Sequence, residues 1–151
     1  MLIFSQFTTY LDVIARALDK LDIAYYTIVG ATPKQERVDL VSAFNTDNVP
    51  VFLVSLKAGG TGLNLTGANI VIHADPWWNA AAQNQATDRA HRIGQNRVVN
   101  VHKVICKDTI EERIVKLQEA KADLADSILN HEGIALHDLS ADDLIALLSE
   151  T

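Results

Sequence analysis

The chain has 151 residues, of which 48% are hydrophobic, and it contains three prolines, seven glycines and one cysteine. These values predict one globular domain with a sizeable core, and they exclude a long disordered linker and a disulfide framework. No apolar run approaches the ~20 residues that span a bilayer, and because Met1–Phe4 has no positive n-region we do not expect a signal peptide. The formal net charge of −6 argues against a general polyanion binder, but residues 57–103 hold five Lys/Arg against two Asp/Glu. That middle third is therefore where we expect a positive surface that contacts phosphates.

Short apolar runs alternate with amphipathic segments over residues 1–107. The runs predict five strands, at Leu2–Phe4, Ile23–Val29, Val51–Val54, Ile70–Ile72 and Val98–Ile105. Helices are predicted from Thr8 or Thr9 to Leu21, from Pro33 onward and from about Asn79, with apolar stripes at Leu11, Ile14, Leu18 and Leu21 and at Val38, Val41 and Phe44. Such alternation is typical of right-handed βαβ crossovers, so we expect an α/β fold with a parallel sheet and helices on both faces.

Beyond Lys107 the pattern predicts helices alone. A helix capped by Asp108 or Thr109 extends to about Leu129, and a short helix follows. We therefore expect an α/β lobe over residues 1–107 and a C-terminal helical extension over residues 108–151.

Four segments follow predicted strands at the sheet edge where ligands of open parallel sheets bind. They are Ser5-Gln6, Gly30–Thr32, Ser55–Asn64 and Asp75–Asn79, and we expect them to converge. The glycines of the third segment suit either close approach to a phosphate or a tight connection between strands. The tryptophans of the fourth suit either the core or stacking on bases.

Gln85, Arg89 and Arg92 are spaced by four and three residues. On a helix they would share one face, and two guanidiniums there suit a phosphate that develops charge in a transition state. An ion pair with Asp88 is the ordinary alternative for Arg92. Because the chain has neither Gly-x-x-x-x-Gly-Lys-Ser/Thr nor an Asp-Glu pair after an apolar strand, we expect only half of a nucleotide site. The five histidines lack metal-ligand spacing, so no metal site is predicted.

From Met1 to about Arg113 the chain resembles the second RecA-like lobe of the Snf2 family of superfamily 2 helicase-like DNA translocases. The matching segments, in order, are Leu2–Phe7 with Leu11-Asp12 (motif IV), Gly30–Thr32 with Arg37 and Phe44-Asn45, Ser55–Leu65 (motif V), Asp75–Asn79 and Gln85–Gln95 (motif VI). The ending His91–Gln95 favours the Snf2 family over RNA helicases. One departure is Ala80, where the family usually has proline.

The resemblance implies a RecA-like fold and a role for each matching residue. Arg89 and Arg92 would be arginine fingers toward ATP, which the N-terminal RecA-like lobe of the same protein would hold together with Mg²⁺. Gln85 would orient or couple that site, and Gly62 and Asn64 would lie at the nucleotide edge of the cleft. The residues implied to contact double-stranded DNA are Ser5, Gln6, Gly30, Thr32, Ser55 and Trp78.

The implied function is the second motor lobe of an ATP-dependent DNA translocase or remodeller in the cytoplasm and nucleoid, or in the nucleus. The lobe alone would not hydrolyse ATP, and the full-length protein would be a DNA-dependent ATPase. In the extension, the helix from residue 108 would brace the two lobes and the last helix would be a packing element. Two alternatives stay open: a non-enzymatic RecA-like module that binds DNA or protein, and an RNA-directed superfamily 2 lobe. A P-loop and an Asp-Glu strand encoded upstream of Met1 would favour the motor.

Overall fold

A five-stranded, all-parallel sheet forms the centre of the computed structural model, which describes residues 1–58, 63–77, 79–88, 90 and 98–130. The strands are β1 (Leu2–Ser5), β2 (Tyr25–Ile28), β3 (Val51–Ser55), β4 (Ile70–His73) and β5 (Asn100–Lys103), in the order β2-β3-β1-β4-β5. The helices are α1 (Thr8–Lys20), α2 (Lys34–Thr46), α3 (Ala80–Thr87) and α4 (Ile110–Asn130). The predicted α/β class and the parallel sheet are confirmed.

Helices cover both faces of the sheet because side chains of its central strands alternate between two apolar cores. On β1, Leu2 and Phe4 pack on the side that holds Phe44 of α2 and Ala86 of α3. Ile3 points to the opposite side, where α1 contributes one buried side chain, Leu11, and three partly buried ones, Ile14, Ala15 and Leu18. Each fully buried leucine or phenylalanine contributes roughly 1.5–3 kcal/mol to folding, so these two cores hold the sheet between its helices.

The prediction of the apolar stripes is wrong at two residues, which are exposed rather than packed on the core. Leu21 is 68% exposed because α1 ends at Lys20 and Leu21 is its C-cap. Val38 is 55% exposed, whereas Val41 and Phe44 pack on the core. Val38 precedes Phe44 by six residues, which places it about 120° around the helix from the buried face.

Two strands, β2 and β5, differ from the predicted bounds by more than one residue. β2 begins at Tyr25 rather than Ile23, since the chain first turns at Asp22, which has a φ of 54°. β5 spans four residues rather than eight, and it pairs with β4, which is itself only four residues long. The length of the partner strand therefore limits β5, and its residues are exposed at the sheet edge.

Contacts divide the chain into two compact units, Met1–Ile114 and Val115–Thr151. α4 begins in the first unit with the predicted cap, since Thr109 Oγ1 accepts a hydrogen bond of 3.2 Å from Glu111 N. The boundary expected after residue 107 stays a prediction, and the short helix expected beyond residue 130 lies outside the described residues. No helix in the described ranges combines the length and apolarity that crossing a membrane requires.

Candidate functional site at the carboxyl edge of the sheet

The carboxyl ends of β1, β3 and β4 meet at one edge, where polar residues interact. Ser5 of β1 lies beside Ser55 of β3 in register, and the Ser5 carbonyl accepts a hydrogen bond of 2.9 Å from Leu56 N. On the other side of β1, the Ser5 hydroxyl donates to a carboxylate oxygen of Asp75, which follows β4. The expected convergence of these loops is therefore observed.

Asp75 is a buried carboxylate, only 4% exposed, at the centre of this edge. Its oxygens accept hydrogen bonds from the Ser5 hydroxyl and from the backbone N–H of Gln6, the latter at 3.2 Å. The Ser5 oxygen also accepts a hydrogen bond of 3.0 Å from Phe7 N, one residue before α1. Because a buried charge is costly unless hydrogen-bonded, these contacts fix the chain after β4 against the start of α1.

The burial of both serines limits what their side chains contact. Ser5 is fully buried and Ser55 is 1% exposed, so an external ligand reaches neither hydroxyl in this conformation. Gln6 is half-buried, and its side-chain amide donates to the carbonyl of Pro76 at 3.2 Å. DNA contact at these three positions stays a prediction. At Ser5 and Ser55 the predicted contact would be made by main-chain atoms, because both hydroxyls are buried.

Arg37 of α2 holds the loop that follows β2. Its guanidinium donates to the carbonyl oxygens of Thr32 and Gly30, both at 2.8 Å, and of Val29 at 3.3 Å. Thr32 Oγ1 accepts a hydrogen bond of 3.0 Å from Val29 N, which closes the loop. Gly30 is exposed, and a Cβ added there would meet no atom of the described residues within 4 Å.

Asn45, also on α2, holds the chain that follows the glycine-rich segment. Its side-chain nitrogen donates to the Asn64 carbonyl at 2.8 Å, and its side-chain oxygen accepts from Gly67 N at 2.9 Å. Gly67 lies so close to α2 that an added Cβ would be 2.9 Å from the Phe44 carbonyl oxygen. The main chain of Asn64 is thereby fixed, while the residue itself is exposed.

His73 connects β4 to the last turn of α3. Its Nε2 lies 2.9 Å from Thr87 Oγ1, and that hydroxyl donates to the Gln83 carbonyl at 3.2 Å. The hydroxyl proton is therefore used, so Nε2 carries the proton of a neutral imidazole. Burial, with a smaller effect from the positive charge of Lys103, lowers the pKa of His73 to about 4. The neutral ring stacks on Phe4 at 5.6 Å between centroids.

The catalytic candidates lie at the end of α3 and beyond it. Gln85 is on α3 and is exposed. Arg89, Arg92, Gly62 and Trp78, four of the predicted site residues, lie outside the described residues. The contact between His73 and Thr87 anchors α3 two residues before Arg89 in the sequence.

Sequence reasoning assigned no role to four residues that organise this edge: Arg37, Asn45, His73 and Asp75. One signal was present for His73 and Asp75, since both follow the predicted apolar strand Ile70–Ile72 within three residues. Arg37 and Asn45 were identified from the sequence only as residues that match a family pattern. Their partners are main-chain atoms of distant loops, which no periodicity in the sequence identifies.

No group of three or more His, Cys, Asp or Glu side chains that fits a metal ion occurs in the part of the chain that the structure describes. Asp75, the buried carboxylate of the edge, receives a hydroxyl and an N–H instead.

Comparison with known proteins places this arrangement in a family. Residues 1–94 match the helicase conserved C-terminal domain. YwqA of Bacillus subtilis, provisionally named an ATP-dependent helicase/translocase, is 50% identical over 132 residues, which are 87% of this chain and 14% of that protein. The ATP-dependent helicase rhp16 of Schizosaccharomyces pombe is 43% identical over 149 residues, 98% of this chain and 17% of that protein.

Two further relatives extend the comparison. The DNA repair protein RAD5 of Cryptococcus neoformans is 44% identical over 132 residues, 86% of this chain and 11% of that protein. The crystal structure of the C-terminal part of the Fun30 ATPase domain superposes with a TM-score of 0.74 at 38% identity, covering 97% of this chain and 44% of that one. The chain thus spans less than a fifth of the length of these curated relatives and has a RecA-like fold. It belongs to the helicase conserved C-terminal domain family, among the Snf2-family helicases.

Proposed function

We propose that the chain is the second motor lobe of an ATP-dependent double-stranded DNA translocase or remodeller of the Snf2 family. The observation that carries the proposal is the family match over residues 1–94 in a sequence that has no phosphate-binding P-loop. Relatives named as ATP-dependent helicases and DNA repair proteins support it. On this proposal the lobe acts on DNA in the nucleoid or the nucleus.

In this motor, Arg89 and Arg92 supply positive charge to the phosphates of an ATP that the N-terminal lobe of the same protein holds with its Mg²⁺. Two guanidiniums stabilise the charge that develops on the transferred phosphoryl group. Gln85, which is exposed on α3 four residues before Arg89, orients or couples the site. Gly62 and Asn64 lie at the nucleotide edge of the cleft.

The DNA backbone is contacted by the loops at the carboxyl edge of the sheet, through Gly30, Thr32 and Gln6. The exposure of Gly30 supports this, since a glycine there lets a phosphate approach the main chain. Trp78 contacts DNA from the segment after β4, and Ser5 and Ser55 contribute through the main chain. Residues 57–103, with five Lys/Arg against two Asp/Glu, supply the favourable charge.

Substitution of Arg92 tests the catalytic part of the proposal. In the full-length protein, Arg92→Ala is expected to lower ATP turnover by roughly 10³-fold or more, as for other arginine fingers, and to leave duplex DNA affinity nearly unchanged. The matched control is Arg16→Ala, since Arg16 is exposed on α1 and lies outside both residues 57–103 and the matching motifs. A parallel loss of turnover and DNA affinity in Arg92→Ala would show that Arg92 is structural.

A further inference from the structure

Two loops of different proposed function share one side chain. The loop after β2 contains Gly30 and Thr32, proposed to contact DNA, and the loop after β3 leads through Ala58 toward Gly62 and Asn64, proposed to face the nucleotide. Arg37 donates to Thr32 and Gly30 at 2.8 Å, and its Nη1 donates to the Ala58 carbonyl at 3.1 Å. We propose that Arg37 is a positioning residue that couples DNA contact at the first loop to nucleotide contact at the second.

The chemistry of the guanidinium supports a geometric role. Arg37 is half-buried, and four of its N–H bonds are directed at main-chain carbonyl oxygens. A guanidinium is planar and always charged, so these donors hold fixed directions, which a lysine ammonium cannot reproduce. A shift of the first loop therefore breaks the bond to Ala58 unless the second loop moves with it.

The position of α2 makes this bond a link between loops. Arg37 holds Ala58, before the glycine-rich segment, and Asn45 on the same helix holds Asn64, after it. In addition, Arg37 contacts the loop after β2, through Gly30 and Thr32. Coupling between two sites requires such a contiguous set of contacts, and loss of Arg37 removes the contact to both loops at once.

This inference rests on the proposed function, so its test uses the full-length protein with ATP and duplex DNA. ATP turnover is measured without DNA and with saturating DNA, and the ratio of the two rates is the readout, together with thermal unfolding. Arg37→Ala is expected to lower that ratio by about tenfold, a typical coupling between sites, because the rate with DNA falls far more than the rate without it. Arg16→Ala is the matched control, since Arg16 is exposed on α1 and its Nε donates to the Asp12 carbonyl of the same helix at 3.2 Å.

Arg37→Lys separates geometry from charge and serves if Arg37→Ala fails to fold. It keeps the positive charge but not the fork of donors, so we expect a reduced ratio here as well. A wild-type ratio in Arg37→Lys would show that Arg37 acts by charge, as a direct phosphate contact would, and would overturn the proposal. Equal losses in both rates with a lowered Tm would show a purely structural role and would also overturn it.

Measurements on the wild-type protein separate failure of the proposed function from failure of the coupling role of Arg37. If duplex DNA does not raise its ATP turnover, the proposed function fails. If DNA raises it, and raises it equally in Arg37→Ala, the proposed function stands and the coupling role of Arg37 is wrong.

Discussion

The hydrogen bond between Ser5 and Asp75 explains why two polar residues occupy the buried end of an apolar sheet. A carboxylate with 4% exposure has lost nearly all its hydration, and the Ser5 hydroxyl and the Gln6 N–H replace it. The pair thereby joins the end of β1 to the segment that contains Trp77 and Asn79. Its role in the protein is to shape this edge.

Replacing Ser5 tests that role. Ser5→Ala leaves the Asp75 carboxylate without its hydroxyl donor in a buried site, so we expect the free energy of unfolding to fall by roughly 1–3 kcal/mol. Denaturant unfolding measures it. Ser42→Ala, at an exposed position of α2, is the matched control and is expected to change stability by less than about 0.5 kcal/mol. Equal stability of Ser5→Ala and wild type would contradict the assignment.

His73, which connects β4 to α3, is buried in its neutral form. The pKa of His73 is lowered to about 4 from 6.5, mainly by burial, so the unfolded chain binds a proton more readily than the folded one. Stability contributed by neutral His73 is present above pH 6.5 and is lost as the pH falls toward 4. Over that window the loss is about 3 kcal/mol.

Comparison of wild type with His73→Gln tests this dependence. Between pH 7 and pH 5 we expect the variant to lose about 2 kcal/mol less unfolding free energy than wild type, since it has no imidazole to protonate. Urea unfolding at each pH gives the values, and His102→Gln, at an exposed position of β5, is the control. Identical pH profiles of wild type and His73→Gln would refute the assignment.

The elements were predictable where one physical signal decided them. Continuous apolar runs identified β1, β3 and β4, because a sheet covered on both faces needs them. No such signal predicted the exposure of Val38 on α2. Val38 is apolar, and its exposure depends on the orientation of α2 about its axis, with Phe44 in the core. Likewise, no local pattern indicates that Arg37 turns toward four carbonyl oxygens rather than toward solvent.

The site was predictable in outline and not in its contacts. The order of strands and polar loops indicated that Ser5, Gly30, Ser55 and Asp75 would share one edge, and the parallel sheet brings them there. The burial of Ser5 and Ser55 was not foreseen, because a polar residue at the end of a strand suits either the surface or a buried hydrogen bond. For Ser5, the buried hydrogen bond is decided by the position of Asp75, which lies far away in the sequence.

For the molecule as a whole, we propose that this chain supplies one half of a catalytic site. On the proposed function, its arginines and loops act on a nucleotide whose phosphates and metal are held by another lobe. The relatives support that division, since each is several times longer than the matched region. The activity of the motor should therefore belong to the full-length protein, and residues 1–151 alone should lack it.

The most direct test is ATP turnover by the full-length protein, measured without nucleic acid, with duplex DNA and with duplex RNA, beside residues 1–151 alone. We expect duplex DNA to raise the turnover of the full-length protein, RNA to have little effect, and residues 1–151 to hydrolyse no ATP under any condition. Stimulation by RNA rather than DNA would indicate an RNA-directed lobe. Substantial ATP turnover by residues 1–151 alone would contradict the account.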